Sequence, residues 1–139
     1  MSGEPAVVIR FEGTGRYLPG EIVAGEYWIE SFGDEPIKAI EASVLWHTEG
    51  KGDEAMAVHE FWRRNADDQP IDPRRPERFS TRLPNSPLSY DGRIVKVRWC
   101  VRVRVFPSRG KELLGEKQFR LGNVPSLKRR ESDPEAASE

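Results

Sequence analysis

Arg93-Ile94-Val95-Lys96-Val97-Arg98-Trp99-Cys100-Val101-Arg102-Val103-Arg104-Val105-Phe106 is the stretch that decides the fold. Val95, Val97, Trp99, Val101, Val103 and Val105 occupy every second position, with Lys96, Arg98, Cys100, Arg102 and Arg104 between them. Side chains of a strand alternate between two faces, whereas a helix repeats every 3.6 residues or so, so this spacing predicts a long β-strand. One face belongs to a core and the other is basic. Downstream, Pro107-Ser108-Arg109-Gly110 turns the chain into a closing strand, Leu113 to Leu121, with Phe119 and Leu121 as its apolar residues. Upstream, Tyr90-Asp91-Gly92 supplies a turn, Leu83-Pro84-Asn85-Ser86-Pro87 another, and Arg78 to Leu83 a short strand anchored by Phe79.

The remainder follows the same grammar. Asn65 to Pro76 holds three prolines and is expected as an irregular loop that crosses from one sheet to the other. Ala55 to Trp62 is a strand whose facing the pattern leaves undecided, reached from the hairpin loop Glu49-Gly50-Lys51-Gly52-Asp53. In Ile37 to His47, Ile40, Ala42, Val44 and Trp46 share a face, and in Glu21 to Glu30, Val23, Tyr27 and Ile29 oppose Glu26 and Glu30. Ala6 to Phe11 is the first strand, closed by Gly13-Thr14-Gly15. About seven strands joined by short turns and one long loop predict an all-β fold, a two-layer antiparallel β-sandwich of immunoglobulin-like form.

The 139 residues suit one domain, expected over 1–122. In 123–139 apolar content collapses into Lys128-Arg129-Arg130 followed by Glu131, Asp133, Glu135 and Glu139, so a disordered charged tail is expected there. Its Arg129-Arg130-Glu131-Ser132 would suit a basophilic kinase. Twenty-two lysines and arginines against 23 acids give a net charge of −1, which argues against a global pull toward nucleic acid. No apolar run approaches membrane-spanning length and the first residues form no apolar leader, so a cytoplasmic protein without an integral membrane segment is expected. Cys100 stands alone, which excludes an internal disulfide and the multi-cysteine zinc sites and fits a reducing compartment.

Two blocks carry a family resemblance. Tyr17-Leu18-Pro19-Gly20-Glu21-Ile22-Val23-Ala24-Gly25-Glu26 resembles the Tyr-x-Pro-Gly-Glu-x-Val-x-Gly stretch that opens the second strand of the arrestin-like N-terminal half. Phe79 to Ile94 looks like the family's Phe-x-x-x-Leu-Pro turn, here Leu83-Pro84, with Gly92 leading into the long strand. The resemblance implies an arrestin-like sandwich, similar to bacterial relatives of the sporulation-control type, acting as a non-catalytic protein-binding adaptor or scaffold. It makes Tyr17, Pro19, Gly20, Gly25, Leu83, Pro84 and Gly92 scaffold turn residues. A second sandwich of the arrestin kind is not expected within these 139 residues, so the resemblance is not expected to carry receptor-activation mechanics.

The candidate partner-binding residues are Lys96, Arg98, Arg102 and Arg104, because a row of cations on one strand face can hold an acidic partner. Their alternative role is cross-strand ion pairing with Glu26, Glu30 and Glu41. His47 and His59, with Glu49 or Glu60, would make at best an incomplete metal site, and mid-strand Cys100 reads as an inert thiol. Trp28 and Trp62 would suit a sugar platform if both were exposed on one face, which keeps an accessory module for carbohydrate or another small ligand as the alternative function. No catalytic motif, cofactor or metal site is expected. The expected partner is another protein, met through the ladder, sheet edges or the loops Thr48 to Glu54 and Asn65 to Pro76, with a homodimer through sheet edges as a further expectation.

Overall fold

The structure, a computed structural model, describes residues 3–122; the tail and its Arg129 to Ser132 motif lie outside the described residues. The described chain is all β: β1 (Ala6–Phe11), β2 (Arg16–Tyr17), β3 (Ile22–Glu30), β4 (Ile37–Gly50), β5 (Met56–Asn65), β6 (Glu77–Arg82), β7 (Tyr90–Asp91), β8 (Val95–Pro107) and β9 (Leu113–Leu121). A three-stranded sheet runs β1-β3-β6 and a six-stranded sheet runs β2-β9-β8-β4-β5, with β7 paired to β8. The pairings are antiparallel except that β2 lies parallel to β9. The segment between Asn65 and Glu77 carries the chain from the large sheet to the small one, and its Pro73 carbonyl accepts from the Ile29 amide of β3.

The alternation in β8 holds along its length. Val101, Val103 and Val105 are wholly buried and Trp99 nearly so; burying a valine or leucine side chain contributes roughly 1.5–3 kcal/mol. They meet Val23, Tyr27 and Ile29 of β3, Val44 of β4 and Phe79 of β6 in a single core between the sheets.

That core is closed on one flank and open on the other. At the closed flank Phe11 meets Tyr17, Phe79 and Phe119 edge-on at 5.8–6.4 Å. There β9 comes so near β1 that a Cβ on Gly115 would lie 2.6 Å from the Val7 Cβ. At the open flank β5 and β6 stand apart around a groove of about 410 Å³ floored by Tyr27, Ala42, Trp62 and Phe79. A β-bulge spans it: Val44 pairs with Glu60 and Leu45 with Val58, which leaves His59 as the extra residue. His59 stays exposed while its ring meets Trp99 edge-on at 6.0 Å, with Nε2 2.7 Å from the Arg82 carbonyl, and the Thr81 hydroxyl donates to Glu60 Oε1.

The two blocks of family-like sequence touch. The Gly20 amide donates to the Leu83 carbonyl at 3.1 Å, the Leu83 amide donates to the Glu21 carbonyl at 2.8 Å, and Arg82 Nη1 donates to the Gly20 carbonyl at 2.7 Å. Gly20 has φ of +86°, a conformation that side chains with a Cβ resist. Tyr17 is buried and donates its hydroxyl to the Glu12 carbonyl.

Candidate partner-binding face

The outer face of the six-stranded sheet is built by the residues that alternate with the core positions. Register places Val58, Leu45, Cys100 and Gln118 side by side in one row across β5, β4, β8 and β9. Phe61, Ser43, Arg102 and Glu116 form the next row, and Arg63, Glu41, Arg104 and Leu114 the one beyond. Leu45 and Cys100 are buried at the centre, while Met56, Val58 and Phe61 of β5 are 50–56% exposed. Arg102 reaches diagonally to Met56, Nη1 to Sδ 3.8 Å, with Leu45 and Cys100 between them in the register. A methylene stem laid over apolar neighbours buries them while its charge stays wet.

The expected cation ladder is present on this face, interrupted by Cys100. Arg98 pairs with Asp91 at 3.0 Å and Glu49 at 3.5 Å, Arg102 with Glu116, and Arg104 with Glu112 at 2.8 Å. Arg104 also lies over the Phe106 ring, 5.3 Å from its centroid. Lys96 is exposed beside Asp91, its partner in the β7–β8 register. Of the expected cross-strand partners, Glu41 stands opposite Arg104 and its charge favours that guanidinium while its carboxylate pairs with Arg63; Glu26 pairs with Arg10 and Glu30 accepts from Trp28, both on the small sheet. β8 is flanked by β4 and β9, so the partners it could take from β3 are excluded by the sheet order.

Electrostatics on the face follow from these contacts. The hydrogen bond from Arg120 and the charges of Arg120, Arg98 and Lys96 hold the Asp91 carboxyl below its usual value despite partial burial. Burial pushes the Cys100 thiol up to about 11, assisted by Glu116 and opposed by Arg102, so it stays protonated at neutral pH.

The other candidates separate. His47 lies on the outer face opposite Arg98, whereas His59 is the exposed bulge residue held at the Arg82 carbonyl. Among the described residues no three His, Cys, Asp or Glu side chains gather to hold a metal ion. Trp28 sits on the outer face of the small sheet beneath Arg10, its Nε1–H donating to Glu30, and Trp62 faces inward against Phe79. The two indoles therefore lie on different sheets and cannot form one stacking platform.

Sequence reading missed the apolar half of this face. Met56, Val58 and Phe61 do not share a strict alternation, because the bulge at His59 shifts the phase between Val58 and Phe61.

Known proteins bear on the fold. No family model and no curated protein matches the chain. The crystal structure of Spo0M, a sporulation control protein from Bacillus subtilis, superposes with a TM-score of 0.62 at 16% identity, over 97% of this chain and 56% of that one. The chain thus spans little more than half the length of that protein. A superoxide reductase (neelaredoxin) from Ignicoccus hospitalis follows at 0.49 and 8% identity, over 84% of this chain and 80% of that one, a likeness too slight to carry an argument. At such identity the likeness to Spo0M is one of architecture: the chain is an all-β sandwich with the arrestin-like fold, as the two turn blocks led us to expect.

Proposed function

We propose that the chain is a non-catalytic adaptor that holds another protein against the outer face of its six-stranded sheet. The observation that carries this is the half-exposed cluster Met56, Val58 and Phe61 beside the ladder Lys96, Arg98, Arg102 and Arg104. Apolar side chains exposed together mark interaction surfaces, and Met, Phe and Arg are enriched where proteins meet. The arginines already hold carboxylates of their own chain, so a partner would exchange ion pairs rather than satisfy bare charges; the apolar cluster then supplies affinity and the ladder orientation. Cys100, buried and protonated, suits the reducing cytoplasm in which we place this adaptor.

Affinity capture with tagged protein tests the reading. Phe61→Asp and the double change Arg102→Glu with Arg104→Glu should each strip the captured proteins, and Arg78→Glu on the small sheet should retain them. If all the folded proteins capture the same set, the outer face is not the binding surface.

β5 is the edge strand of the large sheet, which favours self-association of two copies as a secondary reading. A light-scattering mass equal to one chain at high concentration would count against it.

A further inference from the structure

β5 ends the large sheet with one side unpaired. Among the described residues the backbone of 57–64 makes no backbone hydrogen bond outside its ladder with β4, so the amides and carbonyls that point away from β4 are open to another strand. The bulge at His59 divides this edge, and from Glu60 to Asn65 the strand alternates regularly. Glu60, Trp62 and Arg64 stand opposite the core residues Val44, Ala42 and Ile40, while Phe61 and Arg63 stand opposite Ser43 and Glu41 on the outer face. Trp62 lies against Phe79, ring centroids 6.3 Å apart, and stays half-buried at the groove of the open flank. Facing residues of an antiparallel pair point the same way, so a two-fold axis normal to the sheet must centre on a residue facing its own copy. Centred on Glu60, Arg63 or Arg64, such a pairing sets a charge against itself; centred on Phe61, it leaves Glu60 opposite Trp62 and runs Arg63 into the bulge. Centred on Trp62, it sets Glu60 opposite Arg64 on both sides of the axis and Phe61 opposite Arg63, with no like charges face to face.

We infer, resting on the self-association reading, that a second copy of this chain adds antiparallel to β5 with Trp62 of each copy facing the other. Main-chain hydrogen bonds supply the attachment, and the charges fix the register. Glu60 and Arg64 already touch their own chain, Glu60 accepting from Thr81 at 3.3 Å and Arg64 reaching Glu77 at 3.4 Å and bonding Tyr27, so across the seam they act by facing an opposite charge rather than by filling an empty site. The second indole covers the part of Trp62 that one copy leaves exposed.

Sedimentation velocity of the full chain at rising concentration is the test, with circular dichroism to show that each variant is folded. The unaltered chain should pass from the mass of one copy to that of two. Glu60→Arg and Arg64→Glu should each weaken the dimer about tenfold or more, because each sets like charges against one another on both sides of the axis. An equimolar mixture of the two variants should regain the dimer, since the mixed pair sets the two introduced charges against each other and leaves the two native ones paired. Hydrogen exchange of the unaltered chain reads the same seam without substitution: amides of 60–64 should slow as concentration rises while those of β1 do not. Dimers of undiminished strength in either variant, no recovery on mixing, or no slowing at 60–64 overturn the register and leave self-association through another surface. A chain that stays single at every concentration overturns both, and loss of captured proteins on Glu60→Arg would then assign the edge to a strand of another protein.

Discussion

Gly115 shows how much one missing side chain decides. A Cβ there would meet Val7 at 2.6 Å, so closure of β9 onto β1 depends on a glycine in mid-strand, where glycine otherwise weakens a sheet. Gly115→Val should destabilise the fold by about 1–3 kcal/mol, the cost of forcing a methyl-bearing group into a filled interface, read as a lower urea midpoint. Asp91 gives a second residue-scale prediction. Its carboxyl is held below the usual 3.8 by Arg120 and Arg98, so its contribution is complete above the unfolded value and is lost as pH falls through the depressed one. Asp91→Asn should therefore lower stability at neutral pH by about 1 kcal/mol and narrow the gap from the unaltered chain under strong acid. At this scale the sequence was legible for Cys100: mid-strand placement predicted an inert thiol, and burial beside Leu45 provides it. Native protein at neutral pH should resist iodoacetamide and become reactive only on unfolding.

Among the elements, β8 was the easiest to read and β5 the hardest, for one physical reason. β8 is flanked by strands on both sides and faces the core with every second residue, so its pattern is unbroken over Val95–Pro107. β5 alternates in one phase up to Val58 and in the other from Glu60, because His59 is a bulge, and a one-residue slip inverts every facing after it. The undecided facing of Ala55 to Trp62 in the sequence is that slip. β2 and β7, two residues each, are too short to show any period; β4 continues through Thr48 to Gly50, so the expected loop from Thr48 shrinks to a turn after Gly50. His59 also clips the open flank, through the Arg82 carbonyl and the Trp99 ring. His59→Ala should cost about 1 kcal/mol and speed amide exchange in β6 more than in β1, since β6 loses one of its ties to the large sheet and β1 loses none.

At the scale of the whole molecule, the sheets are unequal, and that inequality is the functional statement. Three strands cover one side of the core while six build the other, which leaves the broad outer face of the large sheet bearing both the arginines and the unburied side chains of β5. The resemblance in the turn blocks foretold the sandwich because turns are set by local backbone chemistry, and Gly20 and Leu83 do close it together. The face itself was half legible. Alternation in β8 exposed the cations, but their partners at Glu49, Asp91, Glu112 and Glu116 depend on strand order, which alternation does not encode.

Hydroxyl-radical footprinting of the affinity-captured complex against the free chain tests the binding face most directly. Met56 and Phe61 should lose most of their oxidation in the complex while Trp28 on the small sheet keeps its own. Undiminished oxidation at Met56 and Phe61, with protection at Trp28 instead, would contradict the account.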